Sequence, residues 1–339
     1  MLLKNLINNI SKEKTKIIVS GLSTNSKEVK KNYIFFAING NKVNGEKFIN
    51  DAILNGASVI VCSKKCKIKI KNKNVLIIKS SNIRGLLSEV ASKFYKLKPK
   101  NIIAVTGTNG KTSVADLFYQ ILRINNISAA SIGTLGVKYN DKTIKTDLTS
   151  PDTINLHKHL YFLKKKKIDN VIIEASSHGL KQNRLHNINF KAAIFTNFSQ
   201  DHLDYHKTMK SYLSTKLILF REILSKNSTV ISDKDIKPFN IIKQIARKKK
   251  FKIFDISATS KKSGNISLEN DDFKTKNILM AIKAVKLCGL KEKYIFNSLK
   301  RLKEVNGRLE LIKKFPNGIK IFIDYAHTPD ALNKTLKFL

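Results

Sequence analysis

One seven-residue segment, TGTNGKT at 106–112, constrains the fold of this chain more than any other. An apolar run precedes the segment and an amphipathic run follows it, so the pattern predicts a strand, a turn and a helix. Gly107 and Gly110 let the backbone turn its N–H groups toward a phosphate, and the helix N-terminus adds partial positive charge. Lys111 and Thr112 would then contact a phosphate and Mg²⁺. The segment therefore predicts an ATP-binding α/β domain.

Length, composition and charge exclude several classes of protein. The chain has 339 residues, enough for two or three cores, and its hydrophobic content of 42% is typical of a globular protein. No apolar run approaches the roughly 20 residues that span a bilayer, and the N-terminal segment lacks the apolar core of a signal peptide. The net charge of +39 would ordinarily suggest nucleic acid, but lysine is spread over nearly every segment. We expect a cytoplasmic protein with no nucleic-acid partner and no membrane insertion.

Changes of pattern along the chain predict three domains of the α/β class. Residues 1–97 mix short strands and helices, which predicts a small N-terminal α/β domain. Residues 98–305 alternate apolar strands with helices, which predicts a mostly parallel sheet flanked by helices. A further strand and helix start follow, so residues 306–339 would begin a Rossmann-like C-terminal domain. We expect that domain to be incomplete, because a domain usually needs about 50 residues at the least.

Polar motifs follow two other predicted strands. Glu174 comes directly after an apolar run, at a position where a carboxylate can hold Mg²⁺. The turn 175–180 that follows is compatible with an active-site loop or with an ordinary turn. The segment 196–206 has two histidines and two aspartates within six residues, which favours a metal or phosphate site over a surface loop. His157 and His159, in contrast, lie in a helical pattern and are predicted to be exposed to solvent.

The motifs occur together in one characteristic order. TGTNGKT, IEASSHGLKQNR, TNFSQDHLDYH, a lysine 14 residues after His202, VNGRLE and DYAHTPDAL follow one another along the chain. In this order they resemble the MurE-type Mur ligases, the UDP-N-acetylmuramoyl-tripeptide synthetases, over almost the whole chain. The resemblance implies an ATP-dependent acid–amino-acid ligase of peptidoglycan synthesis. Such an enzyme adds meso-diaminopimelate or L-lysine to UDP-MurNAc-L-Ala-D-Glu through an acyl phosphate.

The resemblance also implies roles for individual residues, with ATP and Mg²⁺ as cofactors. The implied catalytic residues are Lys111, Glu174, His202 and Lys216, and Lys216 is a candidate N6-carboxylysine. The implied Mg²⁺ ligands are Thr112, Glu174, His202 and Lys216. The implied ATP-binding residues are Gly107, Thr108, Asn109, Gly110, Lys111, Thr112, Ser113, Asn277, Arg308, Asp324 and His327. The implied binding residues for the UDP-MurNAc-dipeptide are Thr24, Ser26, Thr149, Ser150, Ser176, Gln182 and Arg184.

Two alternative functions stay open at this point. The first is a non-catalytic or partner-dependent fragment that binds ATP and the UDP-linked substrate without forming an amide. The second is a ligase of the folylpolyglutamate synthetase type, which shares the short TGTNGKT loop with the Mur ligases. The motif that selects the incoming amino acid is expected beyond residue 339, so the sequence does not distinguish diaminopimelate from lysine. We expect a monomer, and we expect a chain truncated in this way to have uncertain activity.

Overall fold

The computed structural model describes residues 1–8, 15–40, 43–67, 74–257 and 273–339. The chain divides into two compact units, each made of several segments. The first unit consists of Met1–Leu97, Asp152–Tyr161 and Gln182–Ile188. The second unit consists of Lys98–Pro151, Phe162–Lys181 and Asn189–Leu339. The segment with Gln182 and Arg184, which the sequence pattern places in the central domain, therefore belongs to the first unit.

The first unit is built on a parallel sheet of four strands. Their order in the sheet follows the chain, and helices pack on both faces. Alternate residues of a strand point to opposite faces, so Ile34 and Phe36 enter one apolar cluster while Phe35 enters the other. The strands are β1 (Gly21–Ser23), β2 (Tyr33–Phe36), β3 (Ala57–Ser63) and β4 (Leu76–Ser80), the α-helices are α1 (Ile49–Leu54) and α2 (Ile83–Phe94), and 3₁₀ helices span Leu3–Asn5, Ser26–Glu28 and Gly45–Phe48.

The second unit contains a sheet of eight strands. Its order is β12-β11-β10-β5-β9-β6-β7-β8, and the pairs are parallel except β6 with β7 and β7 with β8. This confirms the mostly parallel sheet that the sequence predicts, whereas the antiparallel extension at one edge was not predicted. The strands are β5 (Asn101–Thr106), β6 (Ala129–Gly133), β7 (Gly136–Tyr139), β8 (Lys142–Ile144), β9 (Asn170–Glu174), β10 (Ala192–Phe195), β11 (Thr229–Ser232) and β12 (Lys252–Asp255).

Helices enclose this sheet and a short ribbon follows them. The helix after β5 buries Val114, Phe118 and Ile121 in the main apolar cluster of the unit, together with residues of the helix that begins at Phe273. The helices are α3 (Lys111–Ile124), α5 (Ser177–Lys181), α6 (Leu203–His206), α7 (Met209–Ile218), α8 (Phe239–Lys249), α9 (Phe273–Leu287), α10 (Glu292–Leu299) and α11 (Pro329–Phe338), with a π-helix at Leu219–Ile223. The remaining helix, α4 (Thr153–Lys165), belongs to the first unit as far as Tyr161 and to the second unit from Phe162. Strands β13 (Glu310–Lys314) and β14 (Lys320–Ile323) pair antiparallel.

The strand order explains where a site can form. Strand β5 lies between β9 and β10, and all three run parallel. Their carboxyl ends therefore meet at one edge of the sheet, the edge at which open α/β sheets bind ligands. The phosphate loop begins at the end of β5, Glu174 is the last residue of β9, and the 196–206 segment follows β10. Chain segments that are far apart in sequence are thus brought together by the sheet.

One sequence expectation about α4 is wrong. His157 is completely buried, whereas the pattern predicted a solvent-exposed histidine. Leu156, Leu160 and Leu163 are also buried, and His157 lies on the same helical face because residues three and four apart are neighbours on a helix.

Among the residues that the structure describes, none of the helices is long and apolar enough to cross a membrane.

Candidate active site

The phosphate loop connects β5 to α3 through two glycines with positive φ. Gly107 has φ 142° and Gly110, the N-cap of α3, has φ 83°. These backbone conformations strain any residue with a Cβ. A Cβ at Gly107 would also collide with the Thr196 hydroxyl, and one at Gly110 would collide with the side chain of Asn277. Both glycines are therefore required by the packing of the loop.

The segment that follows β10 holds the loop from one side. The Asn109 N–H donates to Oδ1 of Asn197 at 2.8 Å, and Nδ2 of Asn197 donates to the Asn109 carbonyl at 3.0 Å. The Thr196 hydroxyl donates to the same carbonyl at 2.6 Å. The Thr108 hydroxyl donates to the Ser199 carbonyl and accepts from the Ser199 N–H, both at 3.1 Å. Sequence reasoning pointed to the segment 196–206 as a metal or phosphate site but gave no individual role to Thr196, Asn197 or Ser199.

Lys111 lies at the start of α3 and folds back over the loop. Its Nζ donates to the carbonyls of Gly107 at 3.0 Å and Thr108 at 2.6 Å. Burial lowers the pKa of Lys111, and the nearby carboxylates of Glu174 and Asp201 oppose this shift. The structure thus places a cation directly at the loop, as the sequence predicts for a phosphate contact.

Glu174 is a buried carboxylate that faces the first turn of α3. Its Oε2 accepts a hydrogen bond from the Thr112 hydroxyl at 3.0 Å, and its Oε1 accepts from the Thr134 N–H at 2.8 Å. Burial raises the pKa of Glu174, although Lys111 and these hydrogen bonds favour the carboxylate. Arg308 reaches the same hydroxyl, because its Nη2 donates to Thr112 Oγ1 at 3.3 Å. Thr134, at the end of β6, was not predicted from sequence.

Lys216 is buried inside the second unit, with only 1% of its surface exposed. Its Nζ donates to the Gly107 carbonyl at 2.7 Å and lies 4.4 Å from the ring centre of Tyr212. Burial lowers the pKa of Lys216 well below its ordinary value, and the neighbouring Lys111 ammonium lowers it further. The structure therefore favours a neutral amine at this position and places it next to the phosphate loop.

His202 lies in a cluster of rings. Its backbone adopts a left-handed conformation with φ 51°, and Asp201 Oδ1 accepts its N–H at 2.8 Å. The His178 ring lies edge-on to it at 5.1 Å between ring centres. Partial burial lowers the pKa of His202, and burial lowers the pKa of His206 to about 4. The neutral form of both imidazoles is therefore favoured, and in this form each ring can act as a ligand or hydrogen-bond partner.

The predicted residues near the C-terminal end of the chain also lie in the second unit. Asp324 accepts the N–H groups of Leu309 and Ala326, both at 2.7 Å, which fixes the start of its own turn. His327 Nε2 lies 3.9 Å from Asp201 Oδ1. The guanidinium of Arg308 stacks on the Tyr325 ring at 4.6 Å. This turn is thereby connected to both the loop after β10 and the first turn of α3.

The predicted substrate residues are divided between the two units. In the second unit, Ser150 Oγ donates to the Glu174 carbonyl at 2.7 Å and accepts the Ser176 N–H at 2.9 Å, while the Thr149 and Thr134 hydroxyls lie 3.2 Å apart. These bonds form a hydroxyl-rich surface beside Glu174. The predicted residues in the first unit are Thr24, Ser26, Gln182 and Arg184, and the Arg184 guanidinium donates to Gln182 Oε1 at 2.7 Å.

A cavity of about 430 Å³ in the second unit brings most of the predicted residues together. Volumes of this size fit small-molecule ligands. The lining mixes loop backbone, cations and carboxylates with an apolar part formed by Leu117, Ile278, Leu299 and Leu302. The predicted residues that line it are Thr108, Asn109, Gly110, Lys111, Thr112, Ser113, Thr149, Glu174, Ser176, His202, Lys216, Asn277, Arg308, Asp324 and His327.

The site offers few protein ligands to a metal ion. Within the described ranges, no group of three or more His, Cys, Asp or Glu side chains could hold a metal ion. Mg²⁺ in nucleotide sites needs fewer protein ligands, because it is bound by one or two side-chain oxygens, water and phosphates. The hydroxyl–carboxylate pair of Thr112 and Glu174 fits this requirement. Lys216, whose Nζ donates to the Gly107 carbonyl, does not fit as a ligand in its unmodified form, because Mg²⁺ is bound by oxygen atoms.

Comparison with known proteins identifies the family. Residues 18–95 match the model of the Mur ligase family catalytic domain, and residues 105–294 match that of the Mur ligase middle domain. The chain is 40% identical to the UDP-N-acetylmuramoyl-L-alanyl-D-glutamate--2,6-diaminopimelate ligase of Rickettsia bellii, over 94% of this chain and 70% of that protein.

Solved structures show the same fold. A structure of a UDP-N-acetylmuramoyl-L-alanyl-D-glutamate--2,6-diaminopimelate ligase superposes with a TM-score of 0.79 at 24% identity, over 99% of this chain and 73% of the other. A MurF ligase from Thermotoga maritima in complex with ADP gives a TM-score of 0.62 at 19% identity, over 93% and 73%. On the evidence of the two domain matches and the Rickettsia bellii relative, the chain belongs to the Mur ligase family of ATP-dependent amide ligases.

Proposed function

We propose that this chain joins diaminopimelate to the D-glutamate γ-carboxyl of UDP-MurNAc-L-Ala-D-Glu, using ATP. The observation that carries the proposal is the similarity to the Rickettsia bellii ligase, which extends over nearly the whole chain. The geometry of the second unit agrees with it, because a phosphate loop, buried carboxylate and buried lysine surround one cavity. A folylpolyglutamate synthetase would need no counterpart of the predicted uridine-side residues Thr24 and Ser26.

The chemistry explains why such a site needs ATP. A carboxylate is a poor electrophile, so an oxygen of the γ-carboxylate first attacks the γ-phosphorus of ATP, and ADP leaves. The incoming amine then attacks the carbonyl carbon of the acyl phosphate and gives a tetrahedral intermediate. This intermediate expels inorganic phosphate and the nitrogen loses a proton, which leaves the amide. Two steps with good leaving groups, ADP and then inorganic phosphate, thus replace one direct displacement of an oxide ion from the carboxylate carbon.

The side chains at the loop have distinct roles in this proposal. The N–H groups at the start of α3 hold the phosphates, and Lys111 moves from the loop carbonyls to the transferred phosphate, whose charge it stabilises. Arg308 supplies a second cation near Thr112. Thr112 and Glu174 would hold Mg²⁺, which when bound neutralises phosphate charge.

Lys216 is proposed to be carbamylated. Carbamylation joins CO₂ to a neutral amine through a new N–C bond and releases one proton, so a neutral group is replaced by an anion. The lowered pKa of Lys216 and its burial next to Lys111 support this step, because they favour the neutral amine. The resulting carboxylate could pair with Lys111 or contribute an oxygen ligand.

NMR with ¹³C-bicarbonate should give one carbamate signal that is absent in Lys216→Met. The absence of any such signal in the wild-type protein would contradict the assignment.

The polar residues on the substrate side are proposed to orient the UDP-linked peptide. Thr149 and Ser176 line the cavity beside Glu174 and present hydroxyls that suit a peptide carbonyl or carboxylate. Thr24 and Ser26 follow β1 in the first unit and offer neutral hydrogen-bonding groups to a uridine. Arg184 can bind a carboxylate or diphosphate with two parallel hydrogen bonds.

The decisive experiment incubates the purified chain with ATP, Mg²⁺ and UDP-MurNAc-L-Ala-D-Glu. Diaminopimelate or lysine is added in separate tubes, and products are detected by mass spectrometry. We expect a mass increase of one diaminopimelate residue with release of ADP, and no product from Lys111→Ala. A tube with a folate and glutamate tests the folylpolyglutamate alternative. ADP binding without product in any tube would favour the non-catalytic alternative and contradict the proposed reaction.

A further inference from the structure

We propose that Asn197 is a positioning residue that holds the phosphate loop in the shape that binds nucleotide. This inference rests on the proposed nucleotide-binding role of the loop and concerns a residue to which the sequence assigns no individual role. Asn197 follows β10, at the edge of the sheet where the loop after β5 also lies. It contacts the loop across 88 positions of sequence.

The contact between Asn197 and the loop is a paired one. The primary amide of Asn197 accepts the Asn109 N–H at 2.8 Å and donates to the Asn109 carbonyl at 3.0 Å. One side chain therefore satisfies both backbone groups of one loop residue, as a neighbouring strand would. The Thr108 N–H also donates to the Asn197 backbone carbonyl at 3.0 Å, so the side chain and backbone of Asn197 hold adjacent loop residues.

The neighbour of Asn197 supports the same loop residue. The Thr196 hydroxyl donates to the Asn109 carbonyl at 2.6 Å and is the group that a Cβ on Gly107 would strike. The Asn109 carbonyl thus receives two side-chain donors. Its orientation is fixed by both, which directs the peptide between Asn109 and Gly110 as well.

The loop needs support from outside because two of its residues are glycines, and within the loop only Lys111 holds it, through the Gly107 and Thr108 carbonyls. Gly107 and Gly110 both have positive φ, and glycine has more accessible conformations than any other residue. The first N–H groups of a helix have no acceptor within the helix and can point at a phosphate only if the preceding backbone is fixed. Because Asn197 occupies the Asn109 N–H, it also determines which loop donors remain for the ligand. Preorganised donors bind a ligand at a lower cost in conformational entropy.

The test compares Asn197→Ala with the wild-type chain. We expect the Kd for ADP by calorimetry, and the KM for ATP, to rise about tenfold, which corresponds to the loss of two net hydrogen bonds. The KM for UDP-MurNAc-L-Ala-D-Glu should change less than about twofold, because the residues proposed to bind that substrate lie outside the phosphate loop. Thr196→Val removes one donor to the same carbonyl and should raise the Kd for ADP in the same direction by a smaller factor.

Asn125→Ala is the matched control for a purely structural effect. The Asn125 amide donates to the Ile121 carbonyl at 2.7 Å and to Ser298 Oγ at 2.6 Å. This substitution therefore also removes two hydrogen bonds in the second unit. We expect it to lower the thermal midpoint without changing the Kd for ADP. The proposal is overturned if Asn197→Ala binds ADP as tightly as the wild type, or if both variants lose affinity in proportion to stability.

Two further outcomes separate this proposal from the proposed function. Failure of the wild-type chain to bind ADP contradicts the nucleotide site itself and leaves nothing for Asn197 to position. Wild-type binding together with unchanged binding by Thr196→Val and Asn197→Ala contradicts the positioning role alone. If Asn197→Ala does not fold, Thr196→Val decides the question, since a valine keeps the shape of the threonine side chain and removes its hydroxyl.

Discussion

The two parallel sheets differ at the edges where their strands end. In the first unit, β1 is followed by Thr24, Asn25 and Ser26, and their neutral groups bond locally, as when Asn25 Oδ1 accepts the Lys27 N–H at 3.1 Å. In the second unit, the corresponding edge carries Lys111, Glu174, Asp201, His202 and Lys216 around one cavity.

Parallel strands therefore create an edge where a ligand can bind, but the side chains at that edge decide which reaction can occur there. Among the described residues, the buried side chains of Asp, Glu and Lys all lie in the second unit: Asp116, Glu174, Lys216 and Asp233. Burying a charge is costly unless it is paired, so such groups mark sites where charge is used. Neutral groups such as those directly after β1 suit recognition of a neutral base or sugar, whereas the buried charges at the edge of the second sheet suit phosphate transfer.

Lys111→Ala tests the comparison with the largest expected effect. Removing a cation aimed at the transferred phosphate should lower kcat by about 10²- to 10³-fold. Lys27→Ala, which removes an exposed lysine at the edge of the first sheet, is the matched control and should change kcat less than about twofold. Both are measured by ADP release at saturating substrates. Equal effects of the two changes would remove the distinction between the edges.

Glu174→Gln should lower kcat by roughly 10²-fold and stabilise the fold at pH 7. The raised pKa of Glu174 means that the folded state binds more protons than the unfolded state above pH 4.5. Stability from this group is therefore lost as pH rises from 4.5 through the folded pKa. Chemical denaturation between pH 4 and 8 should show that the free energy of unfolding falls less with rising pH for the variant than for the wild-type chain. A less stable variant at pH 7 would contradict a cost of burying this carboxylate.

Thr24→Val tests the comparison at the edge of the first sheet, where Thr24 follows β1. The loss of one hydrogen bond to the uridine side should raise the KM for the UDP-linked substrate about fivefold. The Kd for ADP should stay at the wild-type value, because Thr24 belongs to the first unit. Steady-state kinetics and calorimetry separate the two quantities. A parallel loss of ADP affinity would show that Thr24 does not act through substrate binding.

Lys216→Met gives the smallest effect, on the pH dependence of stability. The lowered pKa means that the unfolded state binds more protons than the folded state between the folded pKa and 10.5. The contribution of Lys216 to the free energy of unfolding of the wild-type chain therefore rises with pH in that window. In CO₂-free buffer, Lys216→Met should be more stable at pH 7 and show a flatter profile toward pH 10. Identical profiles would contradict an unfavourable buried ammonium.

The sequence predicted some residues well and others poorly for identifiable reasons. The phosphate loop was recognisable because its glycines, lysine and flanking patterns are local in sequence. Lys216 was found only through its spacing in a family resemblance, since one lysine among 64 basic residues carries no signal of its own. His157 was misplaced because a polar side chain was weighed above the leucines that share its helical face.

The sequence by itself determined the α/β class, the two glycines of the loop and the family to which the chain belongs. These depend on local periodicity and on motifs whose residues are close together. Only the tertiary structure decided that Asn197 and Thr196 hold the loop, that Thr134 binds Glu174 and that Arg308 reaches Thr112. The physical reason is the order of strands, which puts β10 and β9 on either side of β5. Contacts across a sheet depend on that order, and the order is not written in the sequence of any one segment.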